Sequence, residues 1–296
     1  MRVLIVGCGY VGLPLGTELA RQGHDVVGLR RSAAEELKSN GITSLQADIT
    51  LPETLAHLPR DFDWVVNCAA SGGGNADDYR QLYLQGTRNL IEWLATTPPK
   101  KFVYTSSTSV YGQNDGSLVK ESSTTEPQAE TARVLVDTEK VLLEAAQQKQ
   151  FPAVILRVAG IYGPDRGHLF KQYLKDEARL EGKGDRWLNM IHRDDLVGAI
   201  IAALKNGRPG GVYNAVDDEP VSQLKFFEWL AGSLDKPPPP AVPEDAEANH
   251  KRGVTNKRIS NRRLKMELGY QFKHPTFRQG YTTELIRLDR AGQQPD

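Results

Sequence analysis

Residues 1–16 read MRVLIVGCGYVGLPLG, a β-branched run followed by three closely spaced glycines and then by a helical pattern. A lone GxGxxG motif is weak evidence, but a strand before it and a helix after it predict a dinucleotide-binding turn. In such a turn Gly7 permits the tight bend, Gly9 lets a pyrophosphate approach the backbone, and Gly12 lets the helix pack closely. The start of the helix offers free N–H groups and a partial positive charge to the phosphates. The alternative is a glycine turn that binds no ligand.

The composition limits the classes of partner. The chain has 296 residues and equal numbers of basic and acidic side chains, 37 of each. A neutral chain creates no field that attracts nucleic acid or an anionic membrane, so we expect neither as a partner. Cys8 and Cys68 lie in apolar runs and are predicted to be buried reduced thiols, which favours a cytoplasmic location. The basic cluster Lys251–Lys265 is interpreted as a solvated face, and no metal site is predicted.

Short apolar runs alternate with helical patterns through the first half of the chain. Continuous apolar strands separated by helices predict a parallel sheet covered on both faces, and right-handed crossovers make it a doubly wound α/β fold. The Pro-rich stretch Asp235–Glu244 is predicted to be an extended surface loop or linker. The predicted strands are Arg2–Val6, Asp25–Leu29, Ser44–Ala47, Trp64–Cys68, Lys101–Ser106 and Ala153–Val158, and the predicted helices are Val11–Gln22, Ala33–Asn40, Asp78–Ala95 and Glu130–Lys149.

The end of the second predicted strand bears on the choice of cofactor. An NAD-selective site usually has a carboxylate here, which accepts hydrogen bonds from the ribose 2′-OH. This chain has Arg30, Arg31 and Ser32 instead. A guanidinium suits a 2′-phosphate through its charge and paired donors, so we predict NADP in preference to NAD. Two solvated surface arginines are the alternative. Asp48 either accepts from the adenine amino group or caps the segment that follows it.

Four further segments carry a family resemblance. Residues 102–112 read FVYTSSTSVYG, 156–164 LRVAGIYGP, 187–199 WLNMIHRDDLVGA and 211–221 GVYNAVDDEPV. In order and spacing the chain resembles the extended short-chain dehydrogenase/reductase family, the NAD-dependent epimerase/dehydratases. The resemblance implies a Rossmann domain over residues 1–160, with residues 190–216 returning to it, and a substrate domain formed by residues 161–189 and 217–296. It also implies a small-molecule substrate, often a nucleotide-linked sugar, and makes a homodimer through the helices Asp78–Ala95 and Glu130–Lys149 plausible.

The resemblance also assigns roles to single residues. Ser107 falls at the catalytic serine or threonine, although such serines also close the strand-end turn. Tyr162 is a candidate proton donor, although that tyrosine usually packs. His192 is a weaker candidate, since a histidine there more often braces the joint between domains. The remaining implied cofactor contacts are Tyr10, Val11, Ala69, Ala70, Thr105 and Ser106, and the implied substrate contacts are Thr108, Ser109, Thr131 and Arg186.

The family's Tyr-x-x-x-Lys pair is missing. A helix brings positions four apart onto one face, so the tyrosine and the lysine normally reach one site. The lysine holds the nicotinamide ribose and lowers the pKa of the tyrosine, which moves the proton. Aligning Glu139 with the glutamate that usually follows places Thr131 at the tyrosine and Leu135 at the lysine. No shift of register restores the pair, because the chain has no tyrosine between Tyr111 and Tyr162.

Other positions depart from the family in the same direction. Tyr83 stands at the helix asparagine, Gly160 where an asparagine often contacts substrate, and Leu188 at an arginine that grips a nucleotide diphosphate. Three functions follow. The first is an NADP-dependent oxidoreductase with a replaced proton donor, because hydride transfer belongs chiefly to the cofactor. The second is an NADP-binding regulator or scaffold without turnover, and the third is a nucleotide-sugar epimerase or dehydratase.

Overall fold

The computed structural model describes residues 1–32, 35–242 and 255–292, with side chains up to residue 289. Seven parallel strands form the central sheet, and three short pairs lie outside it. The central strands are β1 (Arg2–Val6), β2 (Asp25–Arg30), β3 (Ile42–Gln46), β4 (Trp64–Asn67), β5 (Lys101–Ser107), β7 (Ala153–Val158) and β11 (Gly211–Ala215). The short pairs are β6 (Leu118–Val119) with β13 (Arg258–Ile259), β8 (Gly160–Tyr162) with β10 (Met190–His192), and β9 (Trp187–Leu188) with β12 (Val221–Ser222).

Helices cover both faces of this sheet. They are α1 (Gly12–Arg21), α2 (Glu35–Ser39), α3 (Pro52–Leu55), α4 (Ala76–Tyr79), α5 (Gly86–Leu94), α6 (Glu130–Gln148), α7 (His168–Leu174), α8 (Arg193–Asn206), α9 (Gln223–Leu234), α10 (Arg262–Leu268) and α11 (Phe277–Gly292). A 3₁₀ turn spans Thr108–Val110 after β5. None of the described helices is long and apolar enough to cross a membrane.

The strand order β3-β2-β1-β4-β5-β7-β11 makes the sheet doubly wound. The chain builds outward from β1 to one side, then returns to β4 and builds to the other side. Along β1, Val3 and Ile5 pack into the core of one face, while Leu4 and Val6 pack into the core of the opposite face. This period of two is what a strand with both faces covered requires. The predicted fold class is therefore confirmed.

Several predicted bounds shift, and some predictions fall partly outside the described residues. The helix predicted over Asp78–Ala95 starts at Ala76, because the Asn75 and Asp78 side chains form a reciprocal capping box. It then runs through a π-helical stretch, Arg80–Gln85, that the apolar spacing did not indicate. Strand β3 begins two residues before the predicted Ser44. Residues 33–34 of the predicted second helix, 243–244 of the Pro-rich stretch and 251–254 of the basic cluster are not described.

A second group of helices and short strands has a hydrophobic core of its own, formed by β8, α7, β9, β10, β12, α9 and α11, and we call this group the second lobe. Its core is aromatic and includes Tyr162 from β8, Phe226 from α9 and Tyr281 from α11. The rings of Tyr162 and Tyr281 stack with centroids 4.3 Å apart. Stacked and tilted rings of this kind add specific contacts to the burial of apolar area, so they fix how α11 lies against β8.

A buried ion pair joins α6 to the sheet. Arg157 of β7 donates to both carboxylate oxygens of Glu139, at 2.7 Å from Nη2 and 3.1–3.2 Å from Nε. The Ser106 hydroxyl donates to the same carboxylate at 2.6 Å, and Arg157 also donates to the Tyr111 hydroxyl at 2.9 Å. Tyr111 in turn donates to Asn214 of β11 at 2.7 Å. This network connects α6, β5, β7 and β11, and its members have few unused donors or acceptors.

Replacing Glu139 by alanine should strongly destabilise the fold. The change leaves the Arg157 guanidinium buried without its partner, and breaking a buried pair in this way typically lowers the free energy of unfolding by about 3–5 kcal/mol. Lys140→Ala is the matched control on the same helix, since Lys140 forms an exposed pair with Asp137 and should change stability by less than about 1 kcal/mol. Urea unfolding measures both. Equal losses for the two variants would contradict the structural role of the network.

Candidate dinucleotide and substrate site

All seven central strands end at the same edge of the sheet, and most of the predicted site residues follow those ends. The strand order changes direction between β1 and β4, which places a crevice beside the loops that follow these two strands. In open α/β sheets, ligands bind in the crevice at this switch point. The glycine turn after β1 and the Cys68–Ser71 loop after β4 are its two walls.

The glycine turn has the geometry of a phosphate-binding loop. Gly7 has φ +89°, and a Cβ there would lie 2.5 Å from the Ala69 Cα, so only glycine fits. A Cβ on Gly12 would lie 2.3 Å from the Gly7 carbonyl oxygen, which shows how closely α1 approaches the turn. A Cβ on Gly9 would meet no atom within 4 Å. The space beside the Gly9 backbone is therefore open to a ligand.

In the first turn of α1 the Leu13 amide already donates to the Gly9 carbonyl oxygen at 2.9 Å, and Pro14 has no N–H, so a ligand here would be met by the amides of residues 10–12. Val11 precedes the helix and makes no side-chain capping hydrogen bond. The first N–H groups of a helix lack intrahelical partners, and an anion at the helix terminus can accept from them. Residues 7–12 thus fit the pyrophosphate of a dinucleotide on steric and electrostatic grounds.

Tyr10 connects this turn to the second lobe. Its hydroxyl donates to the Pro164 carbonyl oxygen at 2.9 Å. The guanidinium carbons of Arg166 and Arg193 lie 4.9 Å and 5.4 Å from the centre of its ring. Sequence reasoning missed both arginines, because they come from distant segments and no local motif marks them. They bring positive charge to the edge of the phosphate-binding turn.

The residues after β2 lie next to the same turn. The Arg30 side chain is about one-third exposed, and its nearest carboxylate, on Glu36, is 4.0 Å away. Burial raises the pKa of the Cys8 thiol to about 12, and the Arg30 charge lowers it by a smaller amount. Arg31 and Ser32 are exposed. One oxygen of Asp48 accepts from the Thr50 amide and hydroxyl at 2.9 Å and 2.8 Å, so Asp48 closes its own turn.

The loop after β4 carries the predicted contacts Ala69, which is half-buried, and Ala70, which is exposed. Both cysteines, Cys8 and Cys68, are free thiols, as predicted. The Tyr83 hydroxyl accepts from the Ser71 amide at 3.0 Å, so this phenol lies against the end of the loop. Tyr83 occupies the π-helical stretch, and such stretches are frequent at functional sites. The sequence marked Tyr83 only as a departure from the family.

The three hydroxyl residues at the end of β5 have different partners. Thr105 donates to the Asn67 carbonyl oxygen at 3.4 Å, and the hydroxyl of Ser106 is buried against Glu139. The Ser106 hydroxyl serves the ion-pair network, so the predicted cofactor contact of this residue stays a prediction that its side chain does not support. Ser107 accepts from the Ser109 amide at 3.2 Å and so caps the 3₁₀ turn.

The hydroxyl hydrogen of Ser107 remains available. Within the described residues, no group accepts a hydrogen bond from it. Thr108 and Ser109 are half-buried beside it. Ser107 can therefore cap the turn and still donate to an oxygen atom of a ligand in the crevice.

Helix α6 shows what replaces the missing pair. Thr131 is half-buried in the first turn of the helix. Leu135 is 5% exposed and packs in a small apolar cluster with Tyr111, Ala159 and Ile259. The position of the family's lysine is thus filled by a buried aliphatic side chain.

The structure corrects the assignment of Tyr162 as a proton donor. The side chain is 1% exposed, and its hydroxyl has no hydrogen-bond partner among the described residues. Burial raises the pKa of this phenol far above its usual value, and the nearby Asp217 carboxyl adds to the effect. Helix α11, which the sequence did not place, covers β8 and closes the ring off from the crevice.

His192 braces the joint between sheet and second lobe. Its Nδ1 accepts from the Asp194 amide at 3.2 Å and so caps α8, while Nε2 lies 3.4 Å from Glu284 of α11. His274 and Asp195 lie beside it, with one potential ligand atom from each of the three residues within 4.8 Å of the others. Asp195 already accepts hydrogen bonds from Tyr270, from the Lys273 and His274 amides and from the His274 ring. The cluster holds the joint together.

Two basic residues of the second lobe differ in their surroundings. Arg186, a predicted substrate contact, lies 3.2 Å from the Glu181 carboxylate, so its charge is largely compensated. Lys257 is 3% exposed and donates to the Tyr111 carbonyl oxygen at 3.0 Å. The interpretation of Lys251–Lys265 as a solvated face is therefore wrong for Lys257, which the pairing of β13 with β6 draws inside.

A family profile, known proteins and solved structures all match this chain. The NAD dependent epimerase/dehydratase family profile matches residues 3–215. Protein YeeZ of Escherichia coli is 28% identical over 286 residues, which cover 93% of this chain and 96% of YeeZ. The 2-alkyl-3-oxoalkanoate reductase of Shewanella oneidensis is 29% identical over 254 residues, covering 78% of this chain and 65% of that protein. The structure of a putative NAD-dependent epimerase/dehydratase from Methylobacillus flagellatus, 31% identical, superimposes with a TM-score of 0.77 and covers 97% of this chain and 98% of that one.

Replacing Gly9 by alanine should separate ligand binding from folding. The methyl group meets no protein atom, but it occupies the space where a pyrophosphate approaches the backbone. We expect unfolding in urea to stay near wild type, and the affinity for NADPH and NADH alike to fall about tenfold or more. Gly232→Ala is the control, because its methyl also meets no atom and lies on α9. Unchanged calorimetric affinity for both nucleotides in Gly9→Ala would contradict the placement of the phosphates.

Proposed function

The chain belongs to the NAD-dependent epimerase/dehydratase family, and we propose that it is an NADP-preferring oxidoreductase that reduces a carbonyl group of a small molecule without the family's tyrosine. The observation that carries this proposal is a contrast. The dinucleotide-binding elements are intact and open, whereas the acid–base pair is replaced by Thr131 and by a buried Leu135.

The preference for NADP rests on the residues after β2. Arg30 and Arg31 lie beside the glycine turn, where NAD-selective sites usually have a carboxylate. Arg30 has only one distant carboxylate partner, and Arg31 has no ion pair with any residue that the structure describes. Because neither guanidinium is held by a close carboxylate, both can turn toward a 2′-phosphate. Asp48 keeps one carboxylate oxygen for the adenine amino group.

The chemistry divides between the cofactor and the chain. A bound reduced nicotinamide supplies the hydride, while the protein orients the substrate and stabilises the charge that develops on oxygen. Ser107 is the residue of the family's motif that retains a free donor, and we assign it the substrate oxygen. Thr108, Ser109 and Thr131 border the same part of the crevice. Hydride transfer to the carbonyl carbon would leave an alkoxide oxygen that must take up a proton; Ser107, which donates to that oxygen, would pass on its hydroxyl proton and recover one from solvent water.

A relative supports a substrate that carries a ketone. The Shewanella protein is named for reduction of 2-alkyl-3-oxoalkanoates, and it aligns with 78% of this chain. We propose a substrate of that general kind, held between the sheet edge and the second lobe. In this assignment residues 1–160 and 190–216 hold the cofactor, and residues 161–189 and 217–296 hold the substrate. A homodimer through the helices around α5 and α6 stays a prediction.

Two other functions give different results in the same assays. A regulatory protein without turnover would bind NADPH and reduce nothing, and the apolar packing of Leu135 is the observation that favours it. A nucleotide-sugar enzyme would bind UDP- or dTDP-sugars tightly. NADPH oxidation should therefore be followed with 3-oxo acids, aldehydes, cyclic ketones and nucleotide sugars. NADPH-induced thermal stabilisation with turnover of a ketone supports the proposal, and tight binding without turnover of any of these compounds counts against it.

Changing both Arg30 and Arg31 to alanine should reduce the preference for NADPH. Hydrogen bonds to charged groups contribute about 1.5–3 kcal/mol, so NADPH affinity should fall roughly tenfold to a hundredfold while NADH affinity changes little. Isothermal titration calorimetry with both nucleotides measures this difference. Arg21→Ala, at the far end of α1 and paired with Glu18, is the control and should leave both affinities unchanged. Equal losses for NADPH and NADH would refute the 2′-phosphate assignment.

A further inference from the structure

Lys257 is a buried cation without a counter-ion. Its side chain is 3% exposed, and its ammonium has one hydrogen-bond acceptor, the neutral Tyr111 carbonyl oxygen. A lysine ammonium carries three donor hydrogens. No carboxylate of a described residue lies within ion-pair distance of it. Two donors are therefore left over in a place where water has little access.

The fold compensates most of its other buried charges; the Asp217 carboxyl has no cationic partner among the described residues, and burial raises its pKa well above the usual range. Arg157 and Glu139 pair through three short contacts, and Glu284 lies between His192 and Arg287. An uncompensated buried charge is strongly unfavourable, and proteins usually pair or neutralise it. Burial accordingly lowers the pKa of Lys257 to about 8, with no charged neighbour contributing. A buried amine with unused donors is a candidate for a functional role.

Two sets of contacts hold Lys257 at the carboxyl edge of the sheet. Strand β13 pairs with β6 in the loop that follows β5. The Asn189 side chain donates to the Lys257 carbonyl oxygen and accepts from the Ile259 amide, at 2.8 Å and 2.9 Å. The Asn189 carbonyl oxygen in turn accepts from the amide of Gly160, directly beyond β7, at 3.1 Å. Lys257 thus lies between the segments that follow β5 and β7.

Its side chain also lies near the position that the family's lysine would occupy. Residues two apart in an extended segment point to the same face, so the Lys257 side chain leaves the strand on the side of Ile259. Ile259 packs in the same small apolar cluster as Leu135. Helix α6 therefore has a leucine where the family has its lysine, and the segment before β13, far away in sequence, brings Lys257 to the same cluster.

We propose that Lys257 is the substrate-anchoring cation of this site and that the substrate is a ketone carrying a carboxylate. This inference rests on the proposed reductase function and adds the residue that recognises the substrate's carboxylate. A carboxylate oxygen accepts the two unused donors and supplies the missing counter-charge. The ketone oxygen of the same molecule is then left for Ser107.

A pair of matched ligands tests the charge requirement. With NADP+ bound, wild-type protein should bind 3-oxohexanoate roughly tenfold to a hundredfold more tightly than its uncharged methyl ester. Lys257→Met should lose this difference while keeping the affinity for NADP+. Lys101→Met is the control, since Lys101 is another partly buried lysine that donates to a backbone carbonyl, of Gly207, but at the opposite edge of the sheet. It should behave as wild type.

Proton uptake gives a second readout, independent of turnover. A carboxylate beside Lys257 raises the pKa of the amine, so binding at pH 8 should take up about half a proton and at pH 6.5 almost none. Calorimetry in buffers of different ionisation enthalpy measures this uptake, which Lys257→Met should abolish. Charged groups face this region from several elements: Arg258 is adjacent, with its guanidinium over Trp187, and Arg157, Glu139 and Glu121 lie around Tyr111. An arginine side chain is not deprotonated in proteins, and Glu139 is paired in the buried network.

The outcomes separate the inference from the proposed function. If wild-type protein binds 3-oxohexanoate and its methyl ester equally well, the inference is overturned even if NADPH binds and ketones are reduced. The same holds if Lys257→Met takes up as many protons on binding as wild type does. Binding of dTDP-glucose that depends on Lys257, in place of binding of the acid, overturns the carboxylate assignment. Acid-selective binding that depends on Lys257 supports the inference even if no NADPH is oxidised, a result that would count against the reductase alone.

Discussion

The close approach of α1 to the two innermost strands is the constraint on which the rest of the structure depends. Gly12 brings the helix against the Gly7 carbonyl, and Gly7 brings the turn against the Ala69 backbone. A side chain at either position would push the helix, the turn and the loop after β4 apart. Because these three elements meet at glycines, the amino terminus of α1 lies beside the open space next to Gly9. The proposed contacts with the cofactor and the substrate are arranged around the place where α1, the glycine turn and the loop after β4 meet.

The site combines the fold of the family with different residues at the positions of its acid–base pair. The buried network of Glu139 and Arg157 fixes α6 against β5 and β7, so the helix that normally carries the acid–base pair is held in place. The positions of that pair are nevertheless occupied by Thr131 and by Leu135, which packs in an apolar cluster. A helix positioned by one set of interactions can change the residues on another face without loss of the fold. Binding of a dinucleotide and proton transfer are therefore separable properties of this architecture.

Most of the fold and part of the site were predictable from the sequence. Strands buried on both faces have continuous apolar runs, and the glycine spacing marks the turn, so β1, β4, β5, β7 and the glycine turn were located correctly. Local patterns could not show which distant segments meet. Tyr162 is closed off by α11, Arg166 and Arg193 reach Tyr10 from distant segments, and Lys257 reaches Tyr111 across 146 residues of chain. The π-helical stretch around Tyr83 also lacks a sequence signal, because its residues keep an ordinary helical pattern.

The hydrogen bond from Tyr10 to the Pro164 carbonyl has a consequence for communication within the molecule. It joins the glycine turn after β1 to the segment that follows β8, 154 residues later. Two guanidinium groups also lie over the same ring, so a ligand that moved one of these segments would disturb the contacts of the other. Occupancy of one compartment and the affinity of the other are then thermodynamically linked, and the linkage acts equally in both directions.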